Sequence, residues 1–381
     1  MRPPLSIAFV LFDHVLVASP TMQAEPLHDV QCALCSDYAF RVVCSRAEIG
    51  AQFAYLQYFH RRRMRPNRGA EPQETLIDRA DFTQAYATDI VSCVRCGLVS
   101  RNPRPSEQAI TRAYVHDHYG RECLAALFES QLALYRSKAR FLRRWLARGP
   151  QVRVIEAGSF VGGFLAAGQS YGWTMIGVDR GKEVHMFCRE QGLPVFCGAL
   201  ADLPLPTNTA DCIAIWNTFD QLPDPELTLA SICRLLRSGG LLAVRVPNGA
   251  CFRFAARLLR RLPAPLAGCL RAGLAWNNLL GFPYLHGSSI ETLDWLLARY
   301  GFQRIAAQPD TLPQLSDAQT KRWAVGEERM VKLLWVLIAQ LEAAAPGSRM
   351  HIAPWFDACY RNFRRHVSGA HTLYPFAQNG V

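Results

Sequence analysis

A short glycine-rich turn behind an apolar segment constrains this chain more than any other feature. Residues 154–164 have the sequence VIEAGSFVGGF, in which a β-branched run ends at Glu156 and glycines follow at positions 158, 162 and 163. Such a run is typical of a buried strand, and glycines that open a helix let a ligand approach the free amides of its first turn. The segment therefore predicts a strand-turn-helix unit with room for a ligand.

The pattern around this unit is that of an α/β protein. From Gln151 onward, short apolar runs alternate with helix-length segments, which is typical of βαβ units around a mainly parallel sheet. Strands are predicted over residues 152–157, 173–179, 194–198, 211–216, 240–247 and 302–308, and helices over 162–171, 181–191, 225–237 and 289–300. We therefore predict a Rossmann-like sheet flanked by helices. Beyond Gln308 a helix is predicted over 321–343, and no seventh strand is evident.

Two acidic residues indicate what the turn could bind. The second predicted strand ends at Asp179, 23 residues after Glu156, where a carboxylate can accept hydrogen bonds from both hydroxyls of a ribose. NAD(P) and S-adenosylmethionine both fit such a nucleoside site, and a turn that only packs helix on strand is the structural alternative. Glu156 favours S-adenosylmethionine, because a carboxylate there would repel a pyrophosphate but can lie near the donor's ammonium group.

These motifs resemble the class I S-adenosylmethionine-dependent methyltransferases over about residues 152–308. The family's first motif, an acid-x-Gly-x-Gly-x-Gly form, aligns with Glu156, Gly158 and Gly162, while Phe160 replaces the middle glycine. Segments 211–225 (DCIAIWNTFDQLPDP) and 235–248 (LLRSGGLLAVRVPN) match the family's fourth strand with its loop and the turn into its fifth strand.

The resemblance also implies a set of donor-binding residues. Asp179 would bind the ribose hydroxyls, and residues 198–202 (GALAD) would flank the adenine, with a backbone contact at Leu200. Asn217 stands at the mouth of the site, where relatives commonly have a histidine. The predicted donor-binding residues are thus Glu156, Gly158, Gly162, Asp179, Leu200 and Asn217.

The N-terminal part carries two CxxC pairs. Cys32 and Cys35 form the first, Cys93 and Cys96 the second, and 57 residues separate the pairs. Each pair can place two thiolates on one metal, so the four predict a structural zinc site, with Cys44 as an alternative ligand. Unrelated buried cysteines or a redox pair are the alternatives. The segment 93–106, CVRCGLVSRNPRPS, resembles the N-terminal module of methyltransferases that act on small molecules, including sugar C-methyltransferases.

A long insertion follows the fifth predicted strand. Residues 250–287 lie at the sheet edge where such folds build a lid, and we predict a helical cap there. In the resembling family this region often carries a histidine and a tyrosine, and the corresponding residues here are Tyr284 and His286. Either could take a proton from an acceptor. A packed aromatic ring and a capping histidine are the alternative interpretation.

The chain is predicted to consist of five segments. Residues 1–22 would be a non-native N-terminal extension with Met22 as the alternative start, 23–110 a zinc-ribbon-like module with a long insert, 111–150 a helical connector, 151–310 the S-adenosylmethionine-binding domain, and 311–381 a C-terminal helical extension. Thirteen cysteines are an odd set, several of them in apolar stretches, which predicts a reducing compartment and a cytoplasmic protein. The apolar run at residues 5–18 is too short to span a membrane.

The leading functional hypothesis is methyl transfer from S-adenosylmethionine to a small-molecule acceptor. The formal net charge of +11 comes almost entirely from arginine, and an arginine-rich coding bias would give the same balance. One cluster, Arg61, Arg62, Arg63, Arg65 and Arg68, leaves an RNA methyltransferase as the second hypothesis. The third is a non-catalytic binding protein, because Phe160, Ala199 and Asn217 depart from the family pattern.

Overall fold

The computed structural model describes residues 26–63, 88–115, 120–277, 279–281, 284–313, 320–345 and 351–364. The predictions for residues 1–22, including the alternative start at Met22, and for Arg65 and Arg68 lie outside these ranges.

In chain order the strands are β1 (Phe40–Cys44), β2 (Asp89–Cys93), β3 (Val99–Asn102), β4 (Arg153–Ala157), β5 (Thr174–Asp179), β6 (Val195–Cys197), β7 (Ala210–Trp216), β8 (Leu236–Pro247), β9 (His286–Gly287), β10 (Phe302–Asp310) and β11 (Trp355–Asn362). The helices are α1 (Arg46–Arg63), α2 (Glu107–Val115), α3 (Arg121–Leu142), α4 (Gly163–Gln169), α5 (Lys182–Glu190), α6 (Pro225–Leu235), α7 (Gly249–Arg261), α8 (Ala264–Ala275), α9 (Ile290–Ala298) and α10 (Val325–Ala344).

Seven strands form the main sheet, in the order β10-β11-β8-β7-β4-β5-β6. The strands β4 to β8 pair in parallel, and β11 runs antiparallel to both of its neighbours. The carboxyl ends of β4, β5 and β7 therefore meet at one edge of the sheet, which is where open α/β sheets bind ligands. The predicted Rossmann-like, mainly parallel sheet is confirmed.

The C-terminal segment corrects one prediction. Helix α10 forms where a helix was expected, but residues 355–362, assigned to a helical extension, form strand β11 between β8 and β10. This strand carries Asp357 and Arg361 and so lacks the uninterrupted apolar run that marked the other strands. Asp357 is nevertheless fully buried, because cations from other elements pair with it.

Helix α3 is more than a connector. Its apolar face, with Leu124, Leu127, Tyr135 and Leu142, shares a core with β4 and with α4 on one side of the main sheet. The opposite side is covered by α6 and α9, and Leu34 and Leu98 of the N-terminal module belong to that core. The N-terminal module is thereby packed directly on the main sheet.

A smaller antiparallel sheet, in the order β1-β2-β3-β9, holds the N-terminal module together. Its last strand, β9, comes from the end of the cap insertion, and Ser100 of β3 pairs with His286. Helices α7 and α8 lie where the helical cap was expected. Among the described helices, none combines the length and apolarity needed to cross a membrane. The described cysteines are all free thiols.

Candidate functional site

A cavity of about 290 Å³ lies at the carboxyl ends of β4, β5 and β7. Its walls come from the glycine turn, the segments after β5 and β6, the loop at residues 217–223, helices α2 and α3, and the cap. This volume is close to the lower limit for small-molecule sites, and most of its lining is apolar with a few polar groups, as such sites require. The cavity is therefore the candidate active site.

The glycine turn keeps its expected backbone although one glycine is replaced. Gly158 and Gly162 have φ values of 75° and 78°, and Phe160 between them has a φ of 43°. Phe160 thus adopts the left-handed conformation that glycine favours, at some cost in strain. A side chain at Gly158 would overlap that of Thr218. The departure from the family motif therefore leaves the shape of the turn intact.

Asp179 lies at the end of β5 and lines the cavity, as predicted. It is 4% exposed, and its carboxylate accepts hydrogen bonds from the backbone amides of Phe160, at 2.8 Å, and Gly181, at 3.0 Å. These amides fix the orientation of the carboxylate and stabilise its charge. A carboxylate held in this orientation beside the cavity can accept hydrogen bonds from a pair of vicinal hydroxyls.

Two predicted donor contacts need correction. Glu156 is 1% exposed and does not line the cavity. Burial, and then the nearby charge of Asp179, raises the pKa of Glu156 well above its usual value. Gly162 is also outside the lining; a side chain there would meet Leu193 at 2.6 Å, so this glycine serves close packing.

The remaining predicted donor residues line the cavity. Leu200 starts a short 3-10 turn after β6, and Asn217 follows β7. The Asn217 side chain accepts a hydrogen bond from the guanidinium of Arg245 and donates one, at 3.3 Å, to the hydroxyl of Tyr135. Asn217 thus links the cavity wall to a buried cation, which the sequence did not indicate.

Several cavity residues were missed from the sequence: Ile110, Thr111, Gln131, Tyr135 and Arg180. Burial raises the pKa of Tyr135, so its hydroxyl keeps its proton while it accepts the hydrogen bond from Asn217. The side-chain oxygen of Gln131 and the indole nitrogen of Trp216 are buried without a hydrogen-bond partner in the described part of the chain. Such groups can recognise a bound ligand.

The structure separates the two predicted proton acceptors. Tyr284 lines the cavity, but His286 does not. The His286 side chain is 5% exposed, and its Nε2 lies 3.2 Å from the carbonyl oxygen of Leu222 and 3.3 Å from the Arg104 guanidinium. Burial, and then the charge of Arg104, lowers the pKa of His286 to about 3. The prediction of His286 as a general base is therefore wrong, since its short strand turns it away from the cavity.

Arg104 and His286 instead hold the loop that lines the cavity. Arg104, a buried residue of the N-terminal module, donates a hydrogen bond of 3.1 Å to the carbonyl of Pro223, next to the Leu222 carbonyl that faces His286. Both Leu222 and Pro223 line the cavity. The N-terminal module therefore fixes one wall of the candidate active site.

The carboxyl group of Asp220 faces away from the main cavity and shares a small cavity of about 10 Å³ with His286 and Ser288. Both of its oxygens are buried without a hydrogen-bond partner among the described residues. Burial raises the pKa of Asp220 to about 7, from an ordinary value of 3.8.

We expect Asp220→Asn to change how stability depends on pH. Since the folded protein binds the Asp220 proton more tightly than the unfolded chain, the stabilisation is present below about pH 4 and lost as pH rises through 7. The loss should reach at most about 4 kcal/mol. Urea unfolding of wild type and Asp220→Asn from about pH 4 to 8 measures this loss as the difference between their free energies of unfolding. The contribution of His286, whose lowered pKa changes stability in the opposite direction, is present in both proteins and cancels in the difference. A difference that stays constant over this range contradicts the assignment.

The four cysteines predicted to bind a metal come together in the N-terminal module. The Sγ atoms of Cys32 and Cys96 are 3.4 Å apart, those of Cys35 and Cys93 are 3.5 Å apart, and all four lie within 4.8 Å of one another. Tetrahedral Zn–S bonds of about 2.3 Å separate the sulfurs by about 3.8 Å. The arrangement therefore fits a site with four thiolate ligands, and Cys44 is not part of it.

The two CxxC pairs have the same turn. The amide of Ser36 donates to the carbonyl of Cys32 at 2.9 Å, and the amide of Gly97 donates to that of Cys93 at 3.0 Å. Ser36 and Gly97 both have a positive φ, of 56° and 77°. The two pairs therefore present their sulfur atoms from the same kind of turn.

The arginine cluster at the end of α1 is partly used inside the fold. Arg63 forms an ion pair with Glu327 at 2.9 Å and lies 4.4 Å from the centroid of the Phe59 ring. Arg62 donates a hydrogen bond to Tyr58 at 2.8 Å. Arg63 therefore has a structural role, which weakens the case for this cluster as a phosphate-binding surface.

We expect Gly158→Ala to remove ligand binding in the cavity. The new methyl group would overlap Thr218 at a φ of 75° and push the loop into the cavity. Gly192→Ala is the matched control, since Gly192 has a φ of 69° but no atom within 4 Å of an added methyl group. Thermal stabilisation by S-adenosylhomocysteine should disappear in the first variant and persist in the second. Equal behaviour of the two would contradict the assigned role of Gly158.

Comparison with known proteins shows what the central part of the chain is similar to. Residues 126–307 match the family model described as a methyltransferase domain. The matched segment begins within α3 and ends within β10, so it contains the glycine turn, Asp179 and most of the cavity wall. A search of curated protein sequences returned no match.

Solved structures with similar folds include S-adenosylmethionine-dependent methyltransferases. An S-adenosylmethionine-dependent methyltransferase from Thermotoga maritima, described as a possible histamine N-methyltransferase, is 18% identical; the match has a TM-score of 0.41 and covers 68% of this chain and 100% of that chain. An S-adenosylmethionine-dependent methyltransferase from Archaeoglobus fulgidus is 17% identical, with a TM-score of 0.37 and coverage of 62% of this chain and 96% of that chain.

Proposed function

Because residues 126–307 match a family model described as a methyltransferase domain, we propose that the cavity binds S-adenosylmethionine as the methyl donor and that the chain methylates a small-molecule acceptor. The observation that carries the proposal is Asp179, a carboxylate oriented by two backbone amides at the end of β5, beside a glycine turn and inside a wall of mostly apolar residues.

The cavity residues fit the donor. Asp179 would accept hydrogen bonds from the ribose hydroxyls, while Leu200 and Arg180, which also line the cavity, would flank the adenine. Gly158 leaves space for close approach of the ligand to the backbone. The donor supplies a methyl group bound to a sulfonium, which is transferred by in-line displacement. The chain's task is then to position donor and acceptor and to exclude water.

We assign the acceptor to the side of the cavity formed by α2, α3 and the cap. Thr111, Gln131 and Tyr284 contribute polar side chains there, and the unpartnered oxygen of Gln131 would accept a hydrogen bond from an acceptor hydroxyl or amine. Tyr284 would orient the nucleophile or take its proton. A cavity of about 290 Å³ favours a small acceptor over a polymer.

We also propose that the four clustered cysteines hold one structural zinc ion. Four ligands leave no open coordination position, so the ion would support the fold rather than react. Through Arg104, the module it stabilises would keep the loop at 222–223 in place. The predicted cytoplasmic location stays a prediction.

A panel assay tests the proposed function. Purified wild type is incubated with S-adenosylmethionine and with sugars, amines, phenols or total RNA, and release of S-adenosylhomocysteine is measured. We expect turnover with at least one small molecule. The Tyr284→Phe variant should lose at least roughly tenfold in kcat, because proton transfer by a positioned side chain usually contributes more than that. Turnover with RNA alone would replace the proposal with the RNA hypothesis, and donor binding without turnover on any acceptor would favour the non-catalytic one.

A further inference from the structure

Helix α10 carries a row of large apolar side chains that face solvent. Met330, Leu333, Leu334, Leu337 and Leu341 are 66%, 59%, 55%, 46% and 72% exposed. The opposite face of α10 is buried, with Trp335 and Ala339 packed into the protein. Single exposed leucines are ordinary on protein surfaces, but a contiguous row of five marks an interaction surface. We call these five residues the α10 stripe.

The spacing within the α10 stripe specifies the shape of its partner. Met330, Leu334, Leu337 and Leu341 follow one another at intervals of four, three and four residues. These are the intervals of the a and d positions in a coiled coil, in which one helix packs along another. The surface is also nearly uncharged, since Arg329 is the only charged residue among the exposed positions from 329 to 344.

We propose that the α10 stripe pairs with the α10 stripe of a second copy of this chain. A two-fold axis places the same surface of both copies at the interface. The apolar side chains of one α10 stripe would therefore pack against the same apolar side chains of the other copy. In an antiparallel pair, Arg329 of each copy would lie near the C-terminal turn of the other α10, where the helix dipole favours a cation. The interface goes beyond the proposed methyl transfer and lies outside the catalytic cavity.

The size of the α10 stripe is sufficient for a specific dimer. Complete burial of its five side chains would cover at most roughly 600 Å² on each copy, or roughly 1,200 Å² in a pair, which is at the lower end of the range of specific interfaces and exceeds that of most crystal contacts. The lack of basic residues along the exposed face beyond Arg329 argues against an anionic membrane surface as the partner.

Sedimentation equilibrium of the full chain tests the proposal. The protein concentration is varied over about 1–100 µM, the range in which such an interface should associate. We expect wild type to dimerise and Leu334→Glu/Leu337→Glu to weaken association by about 100-fold or more, since it buries two charges. Met186→Glu is the matched control: Met186 is 57% exposed on α5, remote in sequence from α10, and this variant should dimerise like wild type. Melting temperatures of all three confirm that they are folded.

Three results would overturn the proposal. The first is wild type that stays monomeric to 100 µM, roughly the upper limit for a useful interface. The second is a double variant that dimerises as well as wild type. The third is a monomeric wild type that shows another occupant of the α10 stripe. Either a derivative starting at Met22 dimerises although the full chain does not, or the full chain binds neutral phosphatidylcholine vesicles through the α10 stripe.

Discussion

Replacing Asp357 by alanine should lower the free energy of unfolding by about 3–5 kcal/mol, because it leaves two buried cations with only one carboxylate between them. Asp357 is fully buried in β11, and its carboxylate lies 2.7 Å from Lys138 of α3. Lys138 also pairs with Asp310 at 2.8 Å, and Arg245 pairs with Asp310 at 2.6 Å. Two cations and two carboxylates thus balance in the interior.

The register of the main sheet creates this charge network. Asp357 stands opposite Arg245 in β8 on one side and opposite Gln308 in β10 on the other. Gln308 donates a hydrogen bond of 2.9 Å to Asp357, and the Arg245 guanidinium lies 4.3 Å from the ring centroid of Trp355. Because Arg245 also donates to Asn217 in the cavity wall, Asp357→Ala should weaken donor binding as well as the fold.

Urea unfolding with two comparison variants isolates the cause of the Asp357→Ala effect. Lys138→Met/Asp357→Leu removes one charge of each sign and should recover much of the loss, since the Arg245–Asp310 pair stays balanced. Glu190→Ala breaks the exposed pair with Arg121 and should change stability by less than about 1 kcal/mol. If the double variant is no more stable than Asp357→Ala, charge imbalance does not explain the loss.

Cys93→Ser should release the proposed zinc ion and lower the melting temperature by roughly 10 °C or more, because metal binding contributes its free energy to folding. Cys93 ends β2 and is 2% exposed within the four-cysteine cluster. Without the ion, the sheet that carries Ser100 and His286 loses its anchor, and Arg104 no longer holds the Pro223 carbonyl. Affinity for the donor should fall together with zinc content.

Cys44→Ser provides the matched control for this experiment. Cys44 is 3% exposed in the same module but lies outside the cluster, so zinc should stay at about one ion per chain, as expected of a closed four-ligand site. Mass spectrometry of metal content and differential scanning calorimetry measure both effects. Protein that is fully folded and zinc-free as purified would contradict the metal assignment.

The parts of the fold that the sequence predicted depend on local patterns. Strands β4, β5 and β7 are apolar runs of ordinary length, and Asp179 ends one of them, so their roles could be inferred. The two CxxC pairs could also be recognised from the sequence, since each CxxC turn involves only neighbouring residues. No local pattern, however, shows that the two CxxC pairs come together across the 57 residues that separate them. Only the structure shows that they do.

The parts that were missed depend on partners far apart in the sequence. Asp357 looks like a surface residue until Lys138 and Arg245 are placed beside it, so β11 was not recognised. Gln131 and Tyr135 could have been recognised from the sequence. Together with Lys138 they are polar residues at helical spacing on the otherwise apolar face of α3. Polar residues on a face that must be buried indicate either a cavity or a charge partner, and here both are present.

His286 illustrates why a family position does not transfer a role by itself. It lies in the cap insertion, where the resembling family often carries a histidine and a tyrosine. The two residues of β9 pair with β3 instead, which directs the ring toward Arg104 and away from the cavity. Tyr284, only two residues earlier, lines the cavity, and this local turn could not be predicted from spacing.

Isothermal titration of S-adenosylmethionine and S-adenosylhomocysteine into wild type and Asp179→Ala tests the donor site most directly. We expect both ligands to bind wild type at a single site in each chain. The variant, although folded, should bind them about 100-fold more weakly or not at all, since a charged hydrogen-bond acceptor for two hydroxyls is lost. Equal affinity of a folded Asp179→Ala variant, or no binding by wild type, would contradict the assignment of this cavity as the donor site.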